Sequence, residues 1–140
     1  MSVGFCVITV TSDQHMFDAE TFLQWAQERW PRCRVMRHDP GRYISDAEFE
    51  VNPADGPLFL VIHFPGGGLV SIDGGSEQIA EAAVWLREVH PDPDLVLWFT
   101  DGDFSGHTVL FPGISAEEVY SGWVKHSEHD PFAEYPDYFK

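Results

Sequence analysis

The chain has 140 residues, 44% of them hydrophobic, which is enough for one domain with a buried core and too much for intrinsic disorder. Eight Lys and Arg stand against 23 Asp and Glu, a formal charge of −15, so nucleic acid and anionic lipid are repelled and basic proteins attracted. No apolar run approaches the roughly 18 residues of a membrane span.

The first predicted element is Val3–Val10 (VGFCVITV), β-branched and apolar on both alternating faces, as a central strand requires. Asp18 is placed to cap the first helix, with Phe17 and Phe22 as its hydrophobic staple. Ala19, Phe22, Leu23, Ala26 and Trp30 form the buried stripe of that helix, and Pro31 ends it. Cys33–His38 reads as a strand, followed by a turn at Asp39-Pro40-Gly41 and a short strand Glu48–Val51. Leu58–Phe64 and Leu69–Ile72 form a hairpin across Pro65-Gly66-Gly67-Gly68.

A second helix is expected from Ser76, taken as its N-cap, with Ile79, Ala82, Ala83, Leu86 and Val89 facing inward. Leu95–Thr100 (LVLWFT) and His107–Phe111 make a second hairpin, in which Trp98 is expected to be buried. Ser115-Ala116-Glu117-Glu118 is a capping box opening a third helix, with Ile114 and Val119 as its staple and Val119, Tyr120 and Trp123 toward the core. Residues 1–126 form one domain, and 127–140 (SEHDPFAEYPDYFK) an acidic, aromatic tail, docked by its rings or loose. The order β-α-β-β-β-β-α-β-β-α, with short turns between successive strands, predicts an α+β fold: a mostly antiparallel sheet with helices packed on one face.

Several patterns invite chemistry. Asp101-Gly102-Asp103-Phe104-Ser105-Gly106 matches the first half of a calcium loop, yet Pro112 stands where the bidentate Glu belongs and the flanking elements are strands. A hairpin tip built with Asp and Gly is the simpler reading; a metal or small-ligand module using residues 101–106 is the alternative. Pro65-Gly66-Gly67-Gly68 has no Lys after it and opens no helix, so it is no phosphate loop. His126 and His129, with Glu128 and Asp130, fall short of a zinc ligand set. Cys33, between Arg32 and Arg34, is the more reactive thiol by charge, Cys6 reads as a small buried hydrophobe, and His63 reads as a sheet histidine in preference to a base. No catalytic residue, metal or cofactor is assigned, and a non-enzymatic role is expected. The start Met1-Ser2-Val3-Gly4 lacks the regions of a signal peptide, and two cysteines without a CxxC pair fit a reducing cytoplasm.

The remaining signal is charge. Arg29, Arg32, Arg34, Arg37 and Arg42 cluster early, while the acids populate the second helix, the last hairpin, the third helix and the tail. The stretch His107–Val124 (HTVLFPGISAEEVYSGWV), with its strand, Pro-Gly turn, capped entry and amphipathic helix, is similar to the closing segments of immunity proteins of bacterial polymorphic-toxin and contact-inhibition systems. No particular immunity family follows from it. The resemblance implies tight, non-catalytic binding that blocks a toxin active site, and a basic nuclease or deaminase would suit the charge. Asp101, Asp103, Glu117 and Glu118 are the expected contact residues, on the premise that the hairpin tip and the helix start lie close together. The same acids can instead meet the arginines at 29–42 on a second copy, a route to a homodimer.

Overall fold

The computed structural model describes residues 4–39, 41–53 and 56–139. Val3 of the first expected strand, Pro40 of the expected turn and Lys140 of the tail lie outside them. The strands are β1 (Phe5–Thr9), β2 (Arg34–Arg37), β3 (Ala47–Val51), β4 (Phe59–His63), β5 (Leu69–Asp73), β6 (Leu97–Asp101), β7 (Gly106–Leu110) and β8 (Val124–Lys125). The helices are α1 (Ala19–Arg29), α2 (Ser76–Glu88), α3 (Ala116–Ser121) and α4 (Pro131–Glu134). All eight strands join one antiparallel sheet in the order β2-β3-β4-β5-β1-β6-β7-β8. This is the α+β architecture expected.

Two meanders, β2 to β5 and β6 to β8, flank β1. The side chains of β1 alternate between two covered faces, which is why its FCVIT run is apolar throughout. One row across the sheet, Ala47–His63–Val70–Val7–Phe99–Thr108, is buried beneath the helices. Phe22, Leu23 and Ala26 of α1, and Ile79, Ala83 and Leu86 of α2, close over it. At about 25 cal/mol per Å² of buried apolar surface, each large side chain in this layer contributes about 2 kcal/mol.

Local signals act as expected at two helix starts. The Thr21 N–H donates to Asp18 Oδ1 at 2.8 Å, and this bond holds the Asp18 carboxyl below its ordinary value. The Phe17 and Phe22 rings meet at 5.4 Å as a staple. At α3, Ser115 and Glu118 bond reciprocally in a complete capping box, with Ile114 and Val119 both buried.

Three details differ from expectation. Gly75, not Ser76, caps α2: Ser76 is already helical, and the preceding Gly74 at φ +159° lies close against Phe59, where a Cβ would sit 2.6 Å from that side chain. Val124–Lys125 forms a two-residue strand on the far edge of β7. Residues 127–139 are not a plain extended tail: Asp130 caps α4, and Tyr135, Tyr138 and Phe139 pack on Trp98 from the side of the sheet opposite α1, α2 and α3. Only the three longer helices therefore share one face. Among the described residues, no helix is long and apolar enough to cross a membrane.

Candidate functional site

The four acids singled out from the sequence lie on two elements, Asp101 and Asp103 at the β6–β7 hairpin and Glu117 and Glu118 in the first turn of α3. Chain direction separates them: β7 runs from the hairpin at Gly106 to Leu110 before α3 begins, about 13 Å at 3.3 Å per residue. α3 then returns, so that its far end, Gly122 and Trp123, comes back to the hairpin. Gly106 lies so close to the Trp123 indole that a Cβ there would run into the ring. Two of the four carboxylates are also committed locally. Asp101 accepts from the backbone N–H of Ser105 at 2.9 Å and from the Ser105 hydroxyl, and this shapes the turn in which Phe104 takes φ +52°. Glu118 Oε1 accepts the Ser115 N–H at 3.1 Å to close the capping box. Asp103 and Glu117 are exposed.

Glu117 instead joins acids of α2. A groove of about 490 Å³ between α2 and α3 is lined by Ser76, Glu77, Ala80, Glu81, Ala116, Glu117 and Tyr120. Ala80 and Ala116 let the two helices approach closely, and the Tyr120 hydroxyl ties them by donating to the Ser76 carbonyl at 2.6 Å. The floor is apolar and the walls carry three carboxylates. Glu81 is also held at 2.5 Å by Arg29. Glu77, Glu81 and Tyr120 were missed as partners of Glu117. The α2 acids recur along the helix, but their facing α3 depends on how α2 crosses the sheet from β5 to β6.

Arg29 and Arg32 border a groove of about 550 Å³, together with Trp30, Cys33, Asn52 and Gln78. Two of the clustered arginines are already paired: Arg29 with Glu81, and Arg37 with Glu20 at 2.7 Å. The expectation that Arg32 and Arg34 activate Cys33 is reversed. Partial burial raises the Cys33 thiol above its ordinary value, and the guanidinium charges do not offset it. Cys6 is pushed up to about 11, mainly by burial and then by Asp101. Neither thiol is poised as a nucleophile.

The histidines are engaged in the fold. His63, buried in the core row, has Nδ1 2.6 Å from Asp46 Oδ1 and Nε2 2.9 Å from the Phe17 carbonyl. With Nε2 turned to a backbone carbonyl, this ring cannot serve a substrate as a base. His126 Nδ1 donates to the Phe104 carbonyl at 2.7 Å, and its Nε2 meets His107 Nδ1 at 2.8 Å. His129 instead pairs with Glu134 at 3.1 Å. Among the described residues, no three His, Cys, Asp or Glu converge as a metal ligand set. In the 101–106 loop, the Asp101 carboxylate that would lead such a set is turned onto Ser105.

No protein-family model, curated protein or solved structure matches this chain.

Proposed function

We propose that this protein is a binding module that neutralises a basic protein partner, in the manner of the small acidic immunity proteins, and that it meets that partner at the α2–α3 groove. The observation that carries this reading is the make-up of the groove: an apolar floor of Ala80, Ala116 and Tyr120 beneath Glu77, Glu81 and Glu117. An arginine entering it lays its alkyl stem on the floor and its guanidinium against the carboxylates, the arrangement in which Arg anchors interfaces. The charge of −15 supplies long-range attraction and a fast, salt-sensitive association. The raised thiols of Cys6 and Cys33 speak against a cysteine enzyme.

The test is co-expression with the product of the adjacent gene, scored by growth and by co-purification. Rescue of toxicity and a stable complex are expected, and Glu77→Lys with Glu117→Lys should abolish both while leaving the fold intact by circular dichroism. Absence of toxicity from the neighbour, or rescue unaffected by the double reversal, would sink the reading.

A further inference from the structure

The C-terminal segment lies on the sheet directly over a histidine pair. His107, on β7, is 1% exposed and stacks on Trp98 with ring centroids 3.7 Å apart and planes within 9°. Tyr135 closes over both rings edge-on, at 5.1 Å from Trp98 and 5.8 Å from His107. Tyr138 and Phe139 complete the cover on Trp98, and Phe132 on α4 reaches Phe104 in the hairpin.

The hydrogen bonds fix where the protons sit. His126 Nδ1 faces the Phe104 carbonyl, so that nitrogen carries the hydrogen and His126 Nε2 is left as an acceptor. His107 Nδ1–H must then donate to it. Among the described residues, His107 Nε2 keeps a bare lone pair, buried and without a hydrogen-bond partner. An added proton has no comfortable place here. On His107 Nε2 it gives a buried N–H with nothing to accept it, and on His126 Nε2 it sets N–H against N–H.

We propose that the His107–His126 pair is an acid-released latch for residues 130–139, docked at neutral pH and freed when the pair gains a proton, uncovering Trp98. The docked segment itself carries Asp130, Glu134 and Asp137. His129, after β8, adds repulsion to a charged His107, and Glu134 on α4 opposes it. Lys125 on β8 stands opposite Gly106, Asp101 and Asp103 belong to the hairpin beside it, and Cys6 lies across Thr100 on the same face. Burial first, then the His126 ring, lowers His107 from 6.5 to about 4. Stacking on Trp98 favours the charged ring but is too weak to reverse this.

The docked state holds fewer protons than the released one, so docking is strongest above pH 6.5 and weakens as the pH falls toward 4. Were release to return His107 all the way from about 4 to its ordinary 6.5, the docked-to-released ratio would drop about 20-fold between pH 7 and pH 5; Trp98 and His126 stay beside the ring, so the drop is smaller than that bound.

Hydrogen exchange of the full chain, corrected for intrinsic rates, tests this at the two pH values. Exchange of the 130–139 amides should rise severalfold at pH 5, by at most about 20-fold, while the β1 and β4 amides stay protected. His107→Phe, which keeps a ring on Trp98 but takes no proton, should flatten the response; if it does not fold, His107→Gln serves the same purpose. Tyr135→Ala should raise exchange at both pH values and keep the ratio. A wild-type rise below about threefold, an equal rise in the non-titrating variant, or simultaneous loss of protection in β1 and β4 would overturn the latch.

Discussion

Replacing Trp98 by Ala tests how the two faces of this sheet are closed. Trp98 is fully buried although it points away from α1, α2 and α3, and on that side His107, Phe104 and the C-terminal rings pack against it. Removing the indole forfeits its transfer free energy and leaves a cavity between sheet and segment, about 3–5 kcal/mol for a buried Trp→Ala change. Lost stacking and edge-to-face contacts lie within that range. A domain of this size is stable by about 5–15 kcal/mol, so the variant should stay folded but lose a large share of its margin. At about 2–4 °C per kcal/mol, the melting temperature should fall by roughly 6–20 °C. Urea denaturation followed by far-ultraviolet circular dichroism measures the change directly, with Trp98→Phe expected to recover more than half of it. A loss below about 1.5 kcal/mol with an unchanged m-value would refute the packing argument, because it would mean that the C-terminal rings do not enclose Trp98.

Three further outcomes are expected. Asp46→Ala strips His63 Nδ1 of its partner inside the core and should cost about 1–3 kcal/mol in denaturant titration, while Asp46→Asn should lose less because its amide oxygen still accepts. Gly106→Ala drives a methyl group into the Trp123 indole, which also edges against Phe5 and Phe99, and should destabilise by about 1–3 kcal/mol on thermal melting. Cys6 should carry about a hundredfold less thiolate at pH 8 than an unperturbed thiol, so the native protein should modify there far more slowly with a disulfide reagent than the urea-unfolded chain does; equal rates would contradict its burial.

The contrast between expectation and structure follows the range of the forces involved. Features set within one turn or one strand were legible in the residues: the Asp18 cap, the Phe17–Phe22 staple, the Ser115–Glu118 box, the alternation that puts Val7, Phe49 and Val61 inside, and the hairpins that make the sheet antiparallel. Each depends on contacts a few residues apart or on a period-two pattern, which the chain order contains. Arg87 shows where that stops. It is almost fully buried and donates to the carbonyls of Asp92 and Leu95, tying the end of α2 to the next loop, whereas an arginine in a helical pattern reads as solvent-facing.

The candidate sites sit on the long-range side of that boundary. Net charge and the wealth of acids were plain from composition, as was the aromatic character of residues 127–140. Which acids meet was not: Glu77, Glu81 and Glu117 come together only because α2 crosses from β5 to β6 and α3 folds back over β7. The docking of Tyr135 on Trp98 and the meeting of His107 with His126 likewise wait on the sheet, since each joins residues 19 to 37 positions apart that carry no shared local signal. Local sequence determined the elements and their polarity; only the packing of those elements decided which charges and rings face one another.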